Sequence, residues 1–314
     1  MIKRQYILSV LLLGFASFII VYGFFLGKIF GKQNQNKNYT YKIPGTSTEF
    51  DMIYIPGGEF EMGSPKSEPG RDDDEDPVHK VKVNPFWIGK TEVTWDEYEY
   101  YAFRPVIEPR AVNIVEITRP SPSYEPYDHG WGRGKSPAMG ISLYAAKKYC
   151  EWLSLKTGDY YRLPTEAEWE FACRAGSSTA YSFGSDAEEL EEYAWFNKNG
   201  GRKTNKVGLK RPNAFGLYDM HGNVWEFCTG YYDANYYKTL KDKNITVDPQ
   251  GPEEGIDPVI RGGSWNDPPL ELRSANRKAV PVEWWDRDPM MPRGIWWFID
   301  GQYVGFRVVR PVNR

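Results

Sequence analysis

Asn213-Ala-Phe-Gly-Leu-Tyr-Asp-Met-His-Gly-Asn-Val-Trp-Glu-Phe227 is the stretch on which the fold turns. Gly216, Gly222 and Asn223 permit turns, whereas Phe215, Leu217, Tyr218, Val224, Trp225 and Phe227 demand burial. Asp219 and Glu226 lie inside this apolar run. A carboxylate taken into such surroundings needs a partner or a metal. The residues alone leave two readings open: a cation held by oxygen ligands in a tight loop, or two acids that accept backbone N–H bonds in the turn.

Outward from that loop, the composition is that of a folded, loop-rich chain. Of 314 residues 16% are aromatic, with 12 Trp and 22 Tyr, which implies large aromatic cores rather than disorder. The 30 Gly and 23 Pro favour an irregular domain over a bundle or a regular barrel. A net charge of −3 gives no reason to expect nucleic-acid binding. Three Cys are too few for a disulfide scaffold.

The N-terminus reads differently. Tyr6 to Gly27 is almost wholly apolar, flanked by Lys3, Arg4, Lys28 and Lys32. Roughly 20 helical residues cross a bilayer. The run ends in bulky residues (Phe18 to Phe25) rather than a small-residue cleavage site. Residues 1–28 are therefore expected to be an uncleaved transmembrane signal anchor with the domain outside the cytoplasm. The alternative is secretion after signal cleavage. Residues 29–48 are polar and read as a linker, with a folded domain over 49–312 that begins near Phe50.

Within that domain Met52 to Phe60 predicts two strands around Gly57-Gly58, and Val78 to Gly89 two more. The acidic run Arg71 to Asp76 reads as a solvated loop, with calcium binding as the alternative. Thr94 caps a helix from Trp95, and the sequence from Arg104 to Pro137 reads as a long ordered loop. Ser142 caps a helix that Gly158 ends, and Thr165 with Glu168 forms a capping box for the next, to about Arg174. A short helix is expected around Glu188 to Tyr193. Pro258 to Trp265 predicts a strand ending in a glycine turn, and Val304 to Val309 a closing strand.

Seven pieces of this sequence, in order, resemble the formylglycine-generating enzyme (sulfatase-modifying factor) family: Ile55–Gly63, Phe86–Thr94, Arg162–Gly176, Asn213–Phe227, Arg261–Trp265, Arg273–Arg277 and Gly305–Arg310. The resemblance implies an α+β fold, related to C-type lectins, with little regular secondary structure. It also implies a structural Ca²⁺ held by the Asp219 and Glu226 side chains with the Gly222 and Val224 carbonyls. Trp225, Ser264, Asp267 and Arg277 match positions that line the family's substrate groove. For Arg277 the alternative is an ion pair with an acid, and for Trp225 simple packing.

The chain departs from the family where the chemistry lies. Members that make formylglycine hold copper with two cysteines just after the glycine turn. Here that segment reads Asn266-Asp267-Pro268-Pro269-Leu270-Glu271-Leu272, with Asp267 in place of the first thiolate. Copper(I) needs soft ligands, so no copper site is expected. His79, His129 and His221 lack the spacing of an iron triad, so no iron site is expected either. Cys150 and Cys173 face positions that resemble Ser274 and Val308 where some relatives carry bridging cysteines, and Cys228 reads as a buried thiol. Trp284, Trp285, Trp296 and Trp297 suggest either a sugar-stacking platform or core filling. The expectation is a membrane-anchored, noncatalytic module that binds a protein, peptide or glycan in the cell envelope. A rearranged enzyme of the same family is the alternative.

Overall fold

Alternation of apolar and polar residues makes the first half of the domain extended. In the computed structural model, which describes residues 36–103, 118–120, 128–281, 283–286, 295–298 and 300–312, strand β1 is Tyr39–Lys42, β2 Glu49–Ile55 and β3 Gly58–Met62. Strands β4 (His79–Val83) and β5 (Phe86–Gly89) follow. Residues from Asn38 onward form one compact unit.

The folded chain begins earlier than the sequence suggested. Tyr39 pairs with Met52 and Lys42 with Glu49, so β1 is an edge strand and not linker. Its polar composition hid it, yet the Tyr39 ring lies 5.9 Å from that of Trp87, and the Tyr41 ring 5.9 Å from that of Phe50. The proposed anchor, residues 1–28, lies outside the described residues. Among the described residues no helix is long and apolar enough to cross a membrane.

The helices stop and start where their caps direct. Helix α1 (Trp95–Ala102) opens with the Glu97 carboxylate accepting the Thr94 N–H at 3.1 Å and the Thr94 hydroxyl at 2.8 Å. Helix α2 (Leu143–Thr157) starts with Ser142 accepting the Ala145 N–H and ends at Gly158, φ 78°. Helix α3 (Glu166–Arg174) carries the Thr165–Glu168 capping box, and α4 is Leu190–Tyr193. Strands β6 (Trp225–Tyr231), β7 (Thr246–Val247), β8 (Pro258–Arg261) and β9 (Arg277–Ala279), helix α5 (Glu283–Asp286), then β10 (Val304–Gly305) and β11 (Val309–Pro311) complete the order.

Among the described residues three small sheets result, with orders β1-β2-β5-β11, β10-β6-β8-β9 and β3-β4-β7. The expected closing strand is thus split between two sheets, because Phe306 and Arg307 turn into the interior between its halves. One core gathers Trp95, Tyr98, Tyr149, Phe306 and Trp297, with β6 on its flank. A second lies under α3, around Trp169, Phe86 and Val81. Trp284, Trp296 and Trp297 are buried in the first, so these three fill the core; Trp285 lies outside the described side chains. Most of the 104–137 loop also lies outside the described residues.

Candidate functional site

The Asn213–Phe227 loop is held by backbone geometry before any side chain acts. Gly222 takes φ 95°, and a Cβ there would lie 2.2 Å from the Trp195 carbonyl oxygen. Its N–H donates to the Gly262 carbonyl at 2.8 Å, and the Asn223 N–H to the Trp195 carbonyl at 2.8 Å. Asp219 and Asn223 sit at φ 57° and 60°, a region that asparagine and aspartate tolerate best among side-chain-bearing residues. The loop so pinned buries both acids.

Burial gives the two acids different surroundings. Glu226 is clasped by Arg307, at 2.6 Å to each carboxylate oxygen, and also accepts the Trp169 indole N–H at 2.9 Å. Its charge is compensated. Asp219 accepts the Gly208 N–H at 2.7 Å through Oδ2, while its Oδ1 is buried with no N–H or hydroxyl donor, and its carboxyl meets that of Glu92, with which it can share a proton. Beside them is an acid that the sequence did not single out. Glu92 is fully buried; its Oε1 accepts from the Asn223 side chain at 3.0 Å and its Oε2 has no partner.

Burial, then the charges of Asp219 and Glu226, pushes the Glu92 carboxyl well above its ordinary value. Burial likewise lifts Asp219 to about 6, against the Gly208 hydrogen bond and the Arg307 charge. Three acids against one guanidinium, with two orphaned oxygens, demand either protons or a cation. The donors are hard oxygens, the chemistry of Ca²⁺ or Mg²⁺. Of the two expected side-chain ligands, Glu226 is engaged by Arg307, whereas Asp219 lies with Glu92. Gly222 and Val224 flank Asn223 in the same buried turn. Glu92 was illegible because a single acid between a strand and a helix has no distinctive spacing.

The expected groove residues come together in part. Asp267 Oδ2 accepts the Trp225 indole N–H at 2.8 Å, the Ser264 N–H at 2.9 Å and the Ser264 hydroxyl. Burial raises the Asp267 carboxyl above its usual range, with the Ser264 bond opposing. Lys278 lies 5.4 Å over the Trp225 ring and 3.5 Å from Glu271. Arg277 is buried against Glu166 at 2.8 Å and lies 4.3 Å over the Tyr237 ring, the ion pair named as its alternative, and it lines a cavity together with Lys278 and Glu271.

The cysteines are free and buried. Cys173 Sγ lies 3.6 Å from Ser274 Oγ, one of the two partner positions the resemblance named without assigning them, and burial pushes its thiol up to about 12. His221, its neighbour, is held neutral: burial lowers it to about 4, its Nδ1 bonds the Leu272 carbonyl at 2.8 Å, and its Nε2 accepts the Ser182 N–H at 3.1 Å. The acidic run is not simply solvated either, since Glu75 is fully buried between both Arg273 amino groups at 2.6 and 2.8 Å.

A loop-rich α+β domain with a glycine-pinned Asn-Val-Trp-Glu loop packed on a buried Arg-Gly-Gly-Ser turn is the class this geometry defines. Residues 41–288 match the profile of the sulfatase-modifying factor enzyme 1-like domain, and the chain belongs to that family. It is 33% identical over 238 residues to the serine/threonine-protein kinase pkn1 of Chlamydia pneumoniae, covering 72% of this chain and 35% of that protein, so it spans about a third of that relative. It is 29% identical to the formylglycine-generating enzyme of Streptomyces coelicolor, over 68% of this chain and 78% of that one. It is also 29% identical to the inactive C-alpha-formylglycine-generating enzyme 2 of Bos taurus, over 75% and 82%. Among solved structures, PvdO from Pseudomonas aeruginosa superposes with a TM-score of 0.64 at 30% identity, covering 87% of this chain and 98% of that one.

Proposed function

We propose that this chain is a membrane-anchored cell-envelope member of the family that binds a protein, peptide or glycan at the Trp225–Ser264–Asp267 groove and has no copper-dependent formylglycine activity. The observation that carries the reading is Asp267. It stands, by resemblance, at the first copper thiolate, and three donors converge on one of its oxygens. A carboxylate so engaged is a poor ligand for a soft metal. The name of the bovine relative is consistent with loss of activity within the family. A structural Ca²⁺ at Glu92 and Asp219 is part of the proposal, and it supports the loop rather than any chemistry.

The test incubates the full chain with copper(I) and a sulfatase-type cysteine peptide. No mass change of aldehyde formation is expected. Turnover that Asp267→Asn abolishes would replace this reading with that of a rearranged enzyme. Anchoring is tested separately by intact mass of the exported protein, which is expected to retain residues 1–28; a mature chain starting beyond Gly27 would refute it.

A further inference from the structure

Beside the Trp225–Asp267 groove, and sharing Lys278 and Glu271 with it, a cavity of about 770 Å³ is lined by Asp72, Asp73 and Asp74 on one wall, with Asp257, Glu271 and Glu283 around it. Two cations also line it, Arg277 and Lys278, and each is already engaged, by Glu166 at 2.8 Å and Glu271 at 3.5 Å. The neighbouring Arg273 is taken by Glu75 and Glu68, and Arg71 lies 3.4 Å from Asp76. Among the described residues no Lys or Arg ion-pairs with Asp72 or Asp74.

Asp74 is the telling side chain. It is 8% exposed, its Oδ2 accepts the Tyr232 hydroxyl at 2.7 Å, and its Oδ1 is buried with no partner. One oxygen each of Asp72, Asp74 and Glu75 lies within 4.8 Å of the others. Ligands about 2.4 Å from a calcium ion span at most about 4.8 Å across it. A buried carboxylate oxygen without a donor costs free energy that only a proton or a cation removes.

The geometry points to a divalent-cation site, of the Ca²⁺ type, ligated by Asp72 and Asp74 in the wall of this cavity. Glu75 contributes charge more than ligation, because Arg273 occupies both of its oxygens. Few fixed protein ligands and an exposed Asp72 place the affinity in the weak range, roughly 10⁻⁴ to 10⁻³ M.

The experiment is calcium titration by calorimetry on the full chain, wild type against Asp74→Asn and Asp72→Asn. Asparagine at 74 still accepts the Tyr232 hydroxyl, and at 72 it caps as aspartate does, so both variants are expected to fold. Each should lose one equivalent of Ca²⁺ or bind it at least tenfold more weakly, and the same loss should recur in an Asp219→Asn background. That background separates this site from the one at Glu92 and Asp219, whose absence would leave the Asp74 equivalent in place. Unchanged titration in both variants overturns the site. So does binding of spermidine in the cavity without binding of Ca²⁺, which would make it a pocket for organic cations.

Discussion

Asp219 and Glu226 share one loop, yet their side chains answer to opposite forces. Glu226 offsets the Arg307 charge in a fully buried pair. Breaking such a pair by neutralising one member strands the other, at a cost of about 3–5 kcal/mol. Glu226→Gln is therefore expected to lower stability in calcium and in chelator alike. Asp219 instead meets Glu92 and has no ion pair of its own, the nearby Arg307 being clasped by Glu226, so Asp219→Asn should raise the melting temperature in chelator while removing the gain on adding calcium. Urea or thermal melts of both variants, with and without chelator, check this. Equal destabilisation by the two substitutions in chelator would show that the acids are ordinary turn acceptors. That both acids are buried was legible, because the apolar run around them demanded it. Their partners were not: Arg307 and Glu92 lie 81 and 127 residues away from them in sequence, and only the packed fold brings them together.

Caps and glycines made the elements legible wherever the signal was local. Ser142, Gly158 and the Thr165–Glu168 box set helix ends at the positions their chemistry specifies. Pairing across distance was not legible: β1 carries few apolar residues, and the closing strand splits because Arg307 must reach Glu226. The glycine turns sit between these cases. Gly222 was readable as a turn residue, whereas the reason it must be glycine is the Trp195 carbonyl 2.2 Å from where a Cβ would stand. Gly222→Ala adds strain at a positive φ to that clash with backbone that cannot move aside. It is expected to destabilise the domain by more than the roughly 1 kcal/mol of an ordinary left-handed glycine replacement. Urea unfolding measures it. A loss below about 1 kcal/mol would mean that the loop and the Trp195 segment can separate, and with them the frame of the cation site.

At the scale of the whole domain, buried charge is the unusual quantity, and it makes stability depend on pH in two directions. Glu166 and Glu75 are held below the ordinary carboxylate range by their arginines, despite burial. They add stability above the unfolded value that is lost as pH falls through the folded one, at the acid end of the range. Asp219 at about 6, Glu97 at about 7 and Glu92 well above its ordinary value act oppositely. Their contribution is full below the unfolded carboxylate pKa and is lost as pH rises, for Asp219 and Glu97 over a window from about 4 to about 7. Glu97 is insulated from the metal question by its own cap, so it enters melts with and without calcium equally. The difference between those melts therefore reports the acids of the two proposed cation sites, and in an Asp74→Asn background it isolates Glu92 and Asp219. A cation binds their deprotonated form, so binding must compete with protons at low pH and not at high pH. The calcium-induced rise in melting temperature is expected to be small near pH 5 and to grow to pH 7, where about 2.7 kcal/mol accompanies a hundredfold excess over the dissociation constant. Asp219→Asn should flatten that pH dependence, while Asp74→Asn should leave it. A calcium gain that is constant across the same pH range would place the ion on acids that are already ionised at pH 5, and so away from the Asn213–Phe227 loop.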